Sequence, residues 1–313
     1  MSGMSVSAPA TNSPAAILID GGSHHISLQN SIAENSTHGI ELGGIADAGG
    51  SGGPAGSSNT IQNNIVRNNS YFGISIANHS NGTADSPNLV MGNTVSGNGL
   101  HGIDIDTSSY IRVEGNTVTS NGVRAGGSSG IHIFAPKDVK GSCEYNTITK
   151  NTVSLQQDRF LYDGNGIQVD HFCDHNTVSF NTVKSNDGAG ISLYTSAYNQ
   201  VYNNTVSGNG LQPNLVTNRP PKYNPVGEIT VSTCQVAGGC IDNLPHPGRA
   251  HDNSIYNNTI TPSVNGVPGI NIDSSAYGYS NTTCSNTYNL GAKVPNSVAL
   301  YENSIAYSSD ERG

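Results

Sequence analysis

The sequence predicts an all-β fold, a right-handed parallel β-helix built as a solenoid of about eight or more three-strand coils. Three observations carry this. A glycine followed by alternating apolar residues recurs as GIEL at Gly39, GISI at Gly73, GIDI at Gly102, GIHI at Gly130, GIQV at Gly166, GISL at Gly190 and GINI at Gly269, with a weaker GEIT at Gly227. Between these lies an asparagine signature: NTVSGN from Asn93, NTVTSN from Asn116, NTITKN from Asn146, NTVSFNTVKSN from Asn176 and NTVSGN again from Asn204. Large apolar residues are scarce for a compact globule of 313 residues, with no Trp, 38 Gly and 34% hydrophobic residues. That composition suits a repeat with a narrow core.

Each element follows from the pattern. The unit from Gly166 to Gly190 holds three short period-2 strands separated by Asn- or Gly-bearing corners. Every strand is too short to stand alone, and each Asn sits where a chain bends. Stacking the units gives three parallel sheets around an Ile/Val core, with Asn side chains stacked at the corners. The alternation of β-branched residues and the lack of a 3.6-residue period exclude a helical solenoid. Asn-x-Ser/Thr sequons, as at Asn35, Asn93 and Asn204, read as corner ladder positions before they read as glycan sites.

A single domain is expected over residues 15–313, behind a flexible segment over residues 1–14. The amino terminus lacks the basic start and long apolar core of a signal peptide, and no run is long enough to span a membrane. With no obvious amino-terminal capping helix, the chain is expected to belong to a longer protein. A net charge of −9 argues against nucleic acid as a partner. No zinc pattern, phosphate loop or dinucleotide fingerprint is present, so no organic cofactor is expected.

Period-2 alternation points two residues of each GIxIx strand outward. Neighbouring coils lie about 4.8 Å apart, so Asp104, Asp106, His132, Phe134, Gln168, Asp170, Ser192 and Tyr194 should share one sheet face. The insertions at 123–129, 156–165 and 211–226 precede this strand and should rise on one edge, bringing Arg124, Arg159, Tyr162, Arg219, Lys222 and Tyr223. Insertions at 43–59 and 234–251 should bank the other edge, making a trough for an extended chain molecule. Asp163 and Asp187 recur on the turn entering successive strands and read as turn residues. Asp174 and His175 read as corner residues, and the direction of His171 is open. Cys143 and Cys173 precede matching Asn positions in consecutive coils, at a spacing compatible with a disulfide. Cys234 and Cys240 close a short loop and are a second candidate pair. Two bridges would suit an oxidising compartment.

Taken with the Gly-Ile and Asn repeats quoted above, the chain resembles the pectin-lyase-like β-helix proteins from about Ala15 onward. The resemblance implies a polysaccharide partner, an extracellular or periplasmic location, and lyase, C5-epimerase or glycoside hydrolase chemistry. The stretch HGIDID (His101 to Asp106) is similar to the epimerases' Tyr-Gly-Phe-Asp-Pro-His-Glu segment. Asp104 matches its Asp, whereas His101, Ile105 and Asp106 replace its Tyr, Pro and His. The three-Asp signature of the polygalacturonases is missing.

The resemblance tilts the expectation toward β-elimination of a uronate-containing chain. That reaction needs a carboxylate neutraliser, a base and an acid. Ca2+ held by Asp104, Asp106 and Asp170 is one neutraliser, and Arg159 or Arg124 another; His132 or a rim Lys or Arg is a base, and Tyr194 or Tyr162 an acid. Phe134 offers a sugar-stacking ring, and Gln168, Ser192, Arg219 and Lys222 complete the expected binding set. The alternatives are an inverting hydrolase using Asp106 and Asp170, about 9.6 Å apart along the backbone, and a non-catalytic adhesin or tailspike-like fibre. A fibre would favour a trimer; between monomer and trimer the sequence is silent.

Overall fold

The computed structural model describes residues 1–7, 15–44, 53–124, 126–135, 142–158, 163–211, 226–233, 250–262, 267–272, 280–289 and the backbone of 300–302. Among them there is no helix. The strands wind into three parallel sheets of 10, 10 and 9 strands, a right-handed parallel β-helix. No helix of the described residues is long and apolar enough to cross a membrane.

The coil is built from the side chains the repeat supplies. Ile40, Ile74, Ile103, Ile131, Ile167, Ile191, Ile229 and Ile270 stack in one fully buried column, each paired in register with the next. The glycine before most of them is required by close approach. A Cβ on Gly102 would lie 2.5 Å from Val118 Cγ1, 2.6 Å from the Gly130 carbonyl and 2.8 Å from Asn121 Nδ2. Asparagine ladders fill the corners. In one, each Nδ2 donates to the next Oδ1 from Asn64 through Asn93, Asn116, Asn151, Asn181, Asn204 and Asn258 to Asn286 at 2.9–3.0 Å. These bonds satisfy backbone and amide groups that burial would otherwise leave unpaired.

Another ladder, running from Asn69 through Asn98, Asn121, Gln156 and Asn186 to Asn209, ends differently. Asn209 Nδ2 donates to Glu228 Oε2 at 2.6 Å, and the Asn209 N–H donates to the same carboxylate. Glu228 stands in the glycine column of its strand, because Ile229, not Glu228, is the register partner of Ile191. The GEIT reading at Gly227 was therefore offset by one residue. The Glu228 carboxylate takes the place that an asparagine of the next coil would fill.

Two other expectations are adjusted and a third holds. Ser5–Ser7 already pairs with Ile32–Glu34, so residues 1–7 belong to the solenoid rather than to a flexible leader. Asn93 and Asn204 are buried ladder residues, but Asn35 is an exposed corner residue with a left-handed backbone, φ 56°. Cys143 and Cys173 form a disulfide with Cα atoms 5.0 Å apart, tying consecutive coils as the sequence suggested; Cys234 and Cys240 lie outside the described residues. On the corner nearby, Tyr110, Tyr145, His175 and Tyr198 stack ring on ring at 5.2, 5.3 and 4.9 Å. His175 is thus a corner residue, and Asp174 accepts the Ala197 N–H at 2.8 Å.

Candidate functional site

The candidate site lies on the outer face of the Gly-Ile sheet. Register places Asp104, His132, Gln168 and Ser192 side by side in one column. The second column holds Asp106 and Phe134 as partners, then Asp170, whose N–H donates to the Ile133 carbonyl, and Tyr194. The predicted face is therefore formed by these eight residues. It is less exposed than period-2 alternation alone implies. Asp104, Gln168, Asp170 and Ser192 are buried, because side chains on rungs this close shield one another. Buried acids of this kind are not solubility residues.

At the centre, His132 is clamped between two carboxylates. Its Nδ1 meets Asp104 Oδ1 at 2.9 Å, and its Nε2 meets Asp170 Oδ2 at 3.4 Å. A ring facing a carboxylate at both nitrogens is held as imidazolium, with both nitrogens donating. Burial works against that charge, but the hydrogen bonds and charges of Asp104 and Asp170 outweigh it and push the His132 pKa up to about 10. Burial opposes the charge of Asp170 as well; His171 and His132 nonetheless hold its carboxyl well below the usual carboxylate range.

The neighbours fix the clamp. Gln168 Nε2 donates to Asp170 Oδ2 at 3.0 Å, and Gln168 Oε1 accepts from Ser129 Oγ at 2.7 Å and from Asn165 Nδ2 at 2.9 Å. His101 stacks on His132 with centroids 4.1 Å apart. Its Nδ1 accepts the Ser129 N–H at 3.0 Å, which requires that nitrogen unprotonated. Burial and the His132 charge hold the His101 pKa well below its ordinary value. A neutral ring thus lies flat against a charged one.

His171 belongs to the site, although the sequence left its direction open. Its N–H donates to Asp170 Oδ1 at 2.7 Å, and its Nδ1 approaches the same oxygen at 2.5 Å. The His171 ring makes edge contacts with Phe134 at 5.7 Å and Tyr194 at 5.2 Å. The signal was weak in sequence because the chain leaves the strand after Asp170. Phe172 then turns with φ 59°, and alternation no longer says where a side chain points.

The remaining expected residues divide. Arg124 is an exposed rim residue whose Nη1 donates to Ser70 Oγ at 3.0 Å. Asp163 accepts from Asn165 Nδ2 at 3.1 Å, and Asp187 accepts the Asp158 N–H at 3.1 Å; both shape turns. Arg159, Tyr162, Arg219, Lys222 and Tyr223 lie outside the described residues. A Ca2+ shared by Asp104, Asp106 and Asp170 does not fit this arrangement, because the His132 ring already stands between two of the three carboxylates. His101, Asp104 and His132 each bring one ligand atom within 4.8 Å of the others. A metal could use that spacing only after His132 lost the proton that now joins it to Asp104.

Three solved structures share the fold. The A-module of the Azotobacter vinelandii mannuronan C-5 epimerase AlgE4 superposes with a TM-score of 0.58 at 16% identity, covering 93% of this chain and 80% of that one. A mutant of the periplasmic alginate epimerase AlgG gives 0.55 at 15% identity, covering 87% and 61%. The Dettilon tailspike protein gives 0.60 at 15% identity, covering 92% of this chain and 52% of the tailspike. No curated protein sequence matches significantly. The family described as right handed beta helix region matches residues 10–183 and, again, 55–236. Together the two matches span most of the chain, which therefore belongs to the right-handed β-helix region family.

Proposed function

We propose that the chain is a polysaccharide-active enzyme that holds an extended uronate-containing glycan along the Gly-Ile sheet and cleaves it by β-elimination. The Asp104–His132–Asp170 clamp carries this reading, with His171 seated on Asp170 between Phe134 and Tyr194. Two neighbours are named for epimerisation of mannuronan and alginate, which supports a polyuronate as the substrate class. The disulfide and a periplasmic neighbour support an extracellular or periplasmic location.

The roles follow from protonation. His132, committed at both nitrogens to Asp104 and Asp170, is not the base; it holds the two carboxylates, and through Asp170 the neighbouring His171, in place. His171 is the base. In this role the neutral ring carries its proton on Nδ1, the nitrogen beside Asp170, and presents its basic lone pair on Nε2. Tyr194, in edge contact with His171, is the acid for the departing glycosidic oxygen, and Phe134 offers a stacking surface for a sugar. Two carboxylates outweigh one imidazolium, so the centre itself does not attract an anion. Arg124 is the anchor for a uronate carboxylate in a neighbouring subsite. An inverting hydrolase using Asp106 and Asp170 is supported less, because an ionised Asp170 would have to activate a water as base and both its oxygens are already engaged by His132, Gln168 and the His171 N–H.

The test is incubation with mannuronate-, guluronate- and galacturonate-rich polymers, reading ultraviolet absorbance of unsaturated ends and total reducing ends together. Both signals rise for wild type and fall by about a hundredfold or more in His171→Gln. Reducing ends without absorbance would replace the lyase with a hydrolase. Neither signal on a glycan the protein demonstrably binds would leave a binding fibre.

A further inference from the structure

The motif that supplies Asp104 occurs twice. His101-Gly-Ile-Asp104 has a counterpart two coils earlier, His38-Gly-Ile-Glu41, and each acid lies on the same outward column. The two copies differ in what faces the acid from the following coil. Asp104 meets His132, whose ring satisfies it. Glu41 meets Ser75, which carries no charge.

The consequence is a group of buried polar atoms lacking partners. Glu41 is fully buried, Ser75 fully buried and His38 2% exposed. Both carboxylate oxygens of Glu41, Nδ1 of His38 and Oγ of Ser75 have no hydrogen-bond partner. An unpaired buried carboxylate costs several kilocalories per mole, so something must satisfy it. The pair does not satisfy itself: Nδ1 and Oε1 are 3.6 Å apart, beyond a hydrogen bond. That separation is close to the edge of a metal polyhedron. Zn–N and Zn–O lengths of about 2.0–2.1 Å with tetrahedral angles put adjacent ligand atoms about 3.4 Å apart. The His38 ring is held by Tyr71 and Phe72 at 5.6 and 5.0 Å, so its Nδ1 is fixed in orientation.

We propose that His38, Glu41 and Ser75 bind one divalent transition-metal ion of the Zn2+ class, two coils before the Asp104–His132 centre. A neutral imidazole nitrogen, a carboxylate and a hydroxyl suit a borderline divalent ion rather than a hard one needing six or more oxygens. Ser75, which faces Glu41 from the following coil, brings no charge to the carboxylate, and a cation would. The ion would clip the first coils together without touching the clamp.

The experiment uses the full chain, stripped with a chelator and titrated with Zn2+ by calorimetry, with bound metal counted by atomic emission. Wild type is expected to take up one equivalent and to melt at a higher temperature with Zn2+ than without. Glu41→Gln keeps the shape, removes the buried charge and stays folded by circular dichroism; its Zn2+ affinity falls by about tenfold or more and its melting no longer responds to Zn2+. Asp104→Asn binds like wild type. The proposal is overturned if wild type binds no Zn2+. It is overturned equally if binding survives Glu41→Gln, whether it then depends on Asp104 or on the exposed His24–His25 pair.

Discussion

Removing the single charge of His132 unbalances two buried carboxylates at once. His132→Gln should therefore destabilise the fold by about 3–5 kcal/mol at neutral pH, read from urea denaturation, as well as abolish activity. The pH dependence has a definite sign. The folded pKa of His132, about 10, lies above its ordinary 6.5. Its contribution is complete below that ordinary value and is lost as pH rises through 10. Asp170 has the opposite sign: its pKa is depressed, so its contribution is complete above the ordinary carboxylate range and is lost as pH falls below it. Wild-type stability should form a plateau with both limbs, and His132→Gln should lose the alkaline one. An unchanged alkaline limb would show that His132 is not held as the cation.

Strand and corner carry different costs. Asn151 Oδ1 accepts from the Asn116 N–H and Nδ2 at 2.9 and 3.0 Å, while its own Nδ2 donates to the Val113 carbonyl and Asn181 Oδ1 at 3.0 Å each. Asn151→Ala strands several buried groups and should cost about 3 kcal/mol. Four residues on, Leu155 is half exposed with φ 58°, a backbone that a side chain disfavours. Leu155→Gly should gain about 1 kcal/mol, a rare case of truncating a leucine to advantage. Equilibrium unfolding of the two variants checks both signs. The ladders and the Asp104–His132–Gln168–Ser192 column were legible in sequence, because a strict period of two leaves one choice of face per strand. His171 was not legible, since it follows the strand and its direction is set by a left-handed turn. Nor was the burial of Glu41, which depends on packing between coils rather than on its own repeat.

Along the whole solenoid each coil contacts only its neighbours, so stability is a sum of coil and interface contributions. The Cys143–Cys173 bridge staples one such interface across a sequence separation of 30 residues. Replacing both cysteines by serine should cost about 3–4 kcal/mol in the loop-entropy estimate. The loss should be local: amide exchange is expected to quicken first in strands Thr147–Thr149 and Thr177–Ser179, which pair across that interface. Uniform acceleration over all coils would contradict nearest-neighbour stability. The same additivity explains why the architecture was legible from repeats alone, while the long insertions, each occurring once, carry no pattern to read.

The stacked corner of Tyr110, Tyr145, His175 and Tyr198 has an optical consequence. With 14 tyrosines and no tryptophan, the chain's intrinsic emission comes from tyrosine, and rings packed about one coil apart pass excitation along the row and quench it. Parting the coils separates the emitters. The folded protein should therefore be dim and the unfolded one bright, so that light alone follows the solenoid as it comes apart.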